Sequence, residues 1–155
     1  MKDFGLYETG NGGDISILNK DIEVVSSLSN QVYIALFGGN VGYITRNDFQ
    51  NQERLDFWGN SLFYKNNYKK QFNSYTEYFL NNSVINSLFR SKLIEYVQKD
   101  LDFLDAVFVT EVDVFISTNR ITISVDIKEK DNTLVKNIEI VWDTFKSQVI
   151  EQKTI

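Results

Sequence analysis

Hydrophobic and polar positions change period along this chain. In the last third the period is two. Val112, Val114 and Ile116 alternate with Glu111, Asp113 and Phe115. Ile121, Ile123, Val125 and Ile127 alternate with Thr122, Ser124, Asp126 and Lys128. Ile138, Ile140 and Trp142 alternate with Asn137, Glu139 and Val141. Successive strand residues point to opposite faces, so each run reads as a half-buried strand. Thr118-Asn119 and Asp131-Asn132 supply the turns. Together they predict a three-stranded antiparallel meander with one apolar face.

Upstream the period lengthens to that of a helix. Ile85, Phe89, Leu93, Val97, Leu101 and Leu104 recur at helical spacing, with Arg90, Lys92, Gln98, Lys99 and Asp102 mostly opposite. Ser83 or Asn86 can cap this helix, and Tyr78-Phe79-Leu80 predicts a short helical turn before it. A first helix is expected over 21–37, where Ile22, Val25, Leu28, Val32 and Leu36 share a face. Asn19 or Asp21 can open it and Gly38-Gly39 can close it. Before it, two short extended pieces flank Gly10-Asn11-Gly12-Gly13, which predicts a turn. The expected class is α+β: two amphipathic helices packed on a C-terminal three-stranded meander, with a short N-terminal β-hairpin. A single domain is expected over 1–145, followed by a polar, mobile tail over 146–155. Residues 40–75 have little periodicity and many aromatics, which argues for a packed segment rather than a disordered one.

Composition narrows the chemistry. In 155 residues there is no Cys and no His. Disulfides, thiolate metal sites, a Cys nucleophile, a Ser-His-Asp triad and histidine metal ligands are therefore excluded within this chain. The net charge is −5, and Lys69-Lys70 is the one adjacent basic pair, so there is no electrostatic footprint for nucleic acid. The longest apolar run, Val32 to Phe37, is too short to cross a bilayer. Met1 to Gly5 opens without an apolar secretory core, so the chain is expected to be soluble and to stay where it is made. The lack of proline and the many asparagines are biases from which no function follows.

Carboxylates are the remaining route to catalysis. Glu53 and Asp56 are three apart and Glu77 follows, but a glycosidase needs its two carboxyls across a sugar cleft, and no cleft is marked. No Gly-rich loop with Lys-Ser or Lys-Thr opens a helix. Asp126, Glu129 and Asp131 match no dedicated calcium loop. No cofactor, no metal and no enzymatic activity are expected, with a peptidoglycan hydrolase as the remote alternative.

Four stretches, taken in order, resemble the Mu-type phage baseplate protein family, related to the sheath-initiator and baseplate-wedge (lysozyme-like) proteins of contractile tails. They are Gly12-Gly13-Asp14-Ile15; Tyr33-Ile34-Ala35-Leu36-Phe37 at a helix end; Phe57-Trp58-Gly59-Asn60; and a long amphipathic helix followed by a meander ending near Trp142. The resemblance spans roughly residues 3–143. It implies a structural subunit of the virion, assembled in the host cytoplasm into a tail baseplate. Its partners would be other wedge proteins, the tail sheath and, as a further contact, the tube, with about six copies closed around the tail axis. Neither nucleic acid nor membrane is implied. A tail-completion, connector or injection-system subunit of the same fold is the alternative.

Two places are candidate partner contacts. Phe57, Trp58, Gly59 and Asn60 form either a packed aromatic bend or a subunit contact, since Trp often anchors interfaces. The strand 134–142, with Ile138, Ile140 and Trp142, is either an ordinary sheet edge or one that templates the first sheath ring by strand addition. Ile94, Phe103, Tyr33 and Phe37 lie off the main helical stripes and are candidates for a partner helix.

Overall fold

The computed structural model describes residues 2–8, 13–15, 17–38, 62, 67, 74–131 and 133–154. The chain forms two compact units, Met1–Tyr78 and Phe79–Ile155. Its class is α+β.

Among the described residues the first unit opens with six short strands: β1 (Lys2–Phe4), β2 (Leu6–Glu8), β3 (Gly13–Ile15), β4 (Ile17–Leu18), β5 (Asp21–Ile22) and β6 (Val24–Ser26). They pair antiparallel as β1 with β6, β2 with β3 and β4 with β5, which is more strand than a single hairpin. Residues 21–26 are thus extended, and helix α1 runs only over Ser27–Phe37. The reason is local. Ile22, Val24 and Val25 are β-branched, stiff at χ1 and suited to strands, and each has a partner strand in reach. Asn19 and Lys20 take φ of 53° and 68°, the left-handed pair that a two-residue hairpin turn requires, so Asn19 turns β4 into β5 rather than capping a helix. Asp21 accepts the Ile22 N–H at 2.8 Å.

Helix α1 buries Val32, Tyr33, Ala35, Leu36 and Phe37. Tyr33 and Phe37 stack at 5.8 Å, so they belong to the core and are not spare positions for a partner helix. The Asn30 side chain donates to the Phe4 carbonyl at 2.6 Å, tying α1 to β1. Gly38 ends the helix, and a Cβ there would meet the Ile34 carbonyl oxygen at 2.3 Å. Ser74, fully buried, donates to the Leu36 carbonyl and accepts the Glu77 N–H at 2.9 Å, which opens helix α2 (Tyr75–Asn82).

In the second unit, helix α3 spans Phe89–Leu101 and continues as a 3₁₀ turn over Asp102–Leu104. Phe89, Leu93, Val97, Leu101 and Leu104 are buried, as their spacing predicts. The start is later than expected. Asn86 accepts the Leu88 N–H on its side chain at 3.0 Å and the Phe89 N–H on its carbonyl at 3.0 Å, a turn that leaves Ile85 outside the helix and exposed. Phe79 of α2 packs on Phe89 and Tyr96 at 4.9 and 5.0 Å.

The sheet has four strands rather than three: β7 (Val109–Ile116), β8 (Arg120–Lys128), β9 (Leu134–Asp143) and β10 (Gln148–Thr154). They run antiparallel in the order β10-β9-β8-β7. The segment expected as a tail over 146–155 therefore supplies an outer strand. Its turn is built by Asp143, whose carboxylate accepts the N–H groups of Phe145 and Lys146, each at 2.9 Å. Ser147, at φ 51°, completes it. The inner face carries Val114, Ile121, Ile123, Val125, Ile127, Ile138, Ile140, Trp142 and Val149, all buried, and α3 packs along β7. Each such aliphatic contributes roughly 1.5–3 kcal/mol by leaving water. Leu93→Ala, in the middle of the α3 stripe, is expected to lower stability by about 2–5 kcal/mol, read as a shift of the urea midpoint at unchanged slope.

Candidate functional site

A sheet offers partners its margins, so the question is which backbone groups face outward. The Ser117 N–H donates to the Arg120 carbonyl at 2.8 Å, closing the β7–β8 turn. In an antiparallel ladder, hydrogen-bonded and non-hydrogen-bonded pairs alternate. With the register Val114↔Ile123 and Asp113↔Ser124, the odd residues of β7 bond to β8 and Thr110, Val112, Val114 and Ile116 face outward. Carried across the sheet, the even residues of β9 bond to β8, and Glu139, Val141 and Asp143 bond to β10.

This places the expected docking residues differently. Strand β9 is interior over most of its length, because β10 pairs with Ile138 to Asp143. Ile138, Ile140 and Trp142 point into the core and are buried. Their backbone groups are taken up by β8, so neither side chain nor main chain is open to a partner. Phe57, Trp58, Gly59 and Asn60 lie outside the described residues, as do Glu53 and Asp56. Of the off-stripe positions on α3, Ile94 is half-buried and Phe103 is exposed.

The two true margins differ. On β7, both outward groups of Val114 are occupied by side chains of the same chain. Its carbonyl accepts from Arg90 Nε at 2.8 Å, and its N–H donates to Asp113 Oδ1 at 2.8 Å. Arg90 and Asp113 also form an ion pair with each other. An incoming strand would have to displace this bridge. Beside it, Glu111 pairs with Lys128 at 2.6 Å.

On β10, the register breaks between Val149 and Glu151, a bulge that leaves Glu151 to Thr154 as the regular stretch. Glu151 and Lys153 bond inward to Val141 and Glu139, so Gln152 presents its N–H and carbonyl outward. On the solvent face Glu151 and Lys153 form an ion pair at 2.8 Å. That carboxylate, as hydrogen-bond partner and as charge, raises the Lys153 pKa, with Glu139 adding to it. No bridge like Arg90–Asp113 covers Gln152 among the described residues.

Of the carboxylates singled out by the sequence, Asp126 and Asp131 hold structure. Asp126 accepts from the Asn137 amide at 2.5 Å, and Asn137 also donates to Ser124 at 3.1 Å. Asp131 accepts the Thr133 N–H at 2.9 Å, which lowers its pKa. Glu77 lies in the first turn of α2. Among the described residues no three liganding side chains come together to hold a metal ion, and no helix is long and apolar enough to cross a membrane. No protein-family model, no curated protein and no solved structure matches the chain.

Arg90, Asp113, Glu151, Gln152 and Lys153 are the margin residues that the sequence pattern did not single out. Arg90 reads there as one of several exposed helix charges. The last three sit in a stretch where Val149 alone is buried.

The β9–β10 turn sets a pH dependence. Hydrogen bonds from the N–H of Lys146 first, and of Phe145, hold the Asp143 pKa below its ordinary value. A depressed carboxylate stabilises the fold fully above its unfolded pKa, and that contribution is lost as pH falls through the folded one. Asp143→Asn should therefore flatten the acid-side decline of the urea midpoint relative to wild type. An unchanged acid limb would show that the carboxylate does not hold the turn.

Proposed function

We propose that this chain is a structural subunit of a contractile phage tail baseplate, joining wedge proteins and offering the β10 margin to an extended strand of the sheath. The observation that carries the reading is the outward backbone of Gln152 at the end of a four-stranded sheet whose opposite margin is bridged by its own side chains. An exposed edge accepts another chain through main-chain hydrogen bonds, and pockets for alternate side chains add specificity. The ordered stretches that resemble the baseplate family supply the context, and a chain without imidazole or thiol acts more readily through shape than through catalysis.

In this reading about six copies surround the tail axis, each adding one strand contact to the first sheath ring. The binding role expected for Ile138, Ile140 and Trp142 passes to Gln152 and its neighbours on β10. Those three residues lie in the core, one strand in from that margin.

Deleting the gene should leave tubes that form without sheath. A wild-type copy should restore sheathed tails and Gln152→Pro should not, because Pro removes an outward donor without breaking a bond to β9. Circular dichroism of the purified variant checks the fold. Sheathed tails assembled in the absence of the chain would overturn the proposal.

A further inference from the structure

The two margins of the sheet also differ in how their charges meet a second copy of the same strand. An isologous contact pairs a strand antiparallel with itself about a two-fold axis, so the residues flanking the axis face each other. On β7, a two-fold at Val112 sets Glu111 against Asp113 of the second copy. A two-fold at Glu111 or at Asp113 sets each acid against itself. Every central register thus brings like charges together, which destabilises cross-strand pairs. Val114, with both outward groups occupied, closes the same stretch.

On β10 the pattern is reversed. A two-fold at Gln152 sets Glu151 against Lys153 of the second copy, twice, on the solvent face. The outward groups of Gln152 then form the central hydrogen-bonded pair, with Ile150 opposite Thr154. Moving the axis to Glu151 or Lys153 sets like against like, so the charges select one register. Both side chains are on hand for the exchange, since they already pair within the strand at 2.8 Å and remain about half exposed.

We infer that β10 is a self-complementary docking edge whose occupant in the free protein is a second copy of this chain. Two four-stranded sheets join there antiparallel about Gln152 into one eight-stranded sheet. The contact is short, because the bulge between Val149 and Glu151 limits it, so the dimer is weak and concentration-dependent. The inference concerns the margin invoked under the proposed function but does not need a tail. A partner strand would compete with the second copy for the same groups.

Sedimentation velocity of the purified full chain over a wide concentration range tests it. Wild type is expected to show a monomer–dimer equilibrium. Glu151→Lys and Lys153→Glu each convert two attractive cross-strand pairs into repulsive ones and should weaken dimerisation by about tenfold. The double swap E151K/K153E should restore it, and Gln152→Pro should abolish it. The charge variants lie on the surface, so they remain informative should the proline variant misfold. A wild type that stays monomeric at the highest concentration, a dimer indifferent to E151K, or one lost with Val112→Pro but kept with Gln152→Pro would each overturn the inference. A monomeric wild type with sheathless deletion mutants would remove the self-pairing and leave the baseplate reading in place.

Discussion

The pairing of β10 with β9 is the contact on which the rest of the second unit's surface chemistry depends. It converts β9 from an outer strand into an interior one and moves the margin of the sheet to a short, polar strand. That strand is held by few interactions. Val149 is its one fully core-facing side chain, the ladder to Glu139, Val141 and Asp143 supplies main-chain bonds, and the Asp143 turn fixes its direction. Main-chain bonds contribute modestly each, about 0.5–1.5 kcal/mol net, so a strand with so little apolar area rests on their sum. Such a strand is also the part of the sheet best suited to exchange, because low local stability and partner binding go together.

The core was legible in the sequence wherever one periodicity ran unbroken. The steps of four in Phe89, Leu93, Val97 and Leu101 and the alternation from Ile121 to Ile127 describe the helix and the central strand, because burial on one face dictates those spacings. Strand β10 was hidden for the opposite reason. One residue is buried, a bulge breaks the alternation, and Glu151, Gln152 and Lys153 read as tail. Residues 21–26 misled through coincidence. Ile22 and Val25 fall at helical spacing from Leu28, yet their β-branched neighbours and the Asn19-Lys20 turn draw the segment into strands. The docking positions followed from the strand count: with three strands Ile138, Ile140 and Trp142 line an edge, and with four they lie one strand in from it.

The two margins differ in how the chain's own side chains meet them. A bridging Arg90–Asp113 pair at β7 is about half exposed, and exposed ion pairs add little stability. Its value lies in occupying the outward carbonyl and N–H of one mid-strand residue and in leaving acids where a second β7 would need neutral or basic groups. At β10 alternating acid and base permit one register and penalise its neighbours. Both arrangements are built from main-chain groups and surface charges.

Amide hydrogen exchange across β9 measures the β9–β10 pairing most directly. The N–H groups of Glu139, Val141 and Asp143 should be protected alongside those of Ile138, Ile140 and Trp142, while the Gln152 N–H exchanges fast in dilute protein. Exchange of Glu139 and Val141 as fast as Gln152, with Ile138 and Ile140 still protected, would mean that β10 does not dock and that β9 is the margin after all.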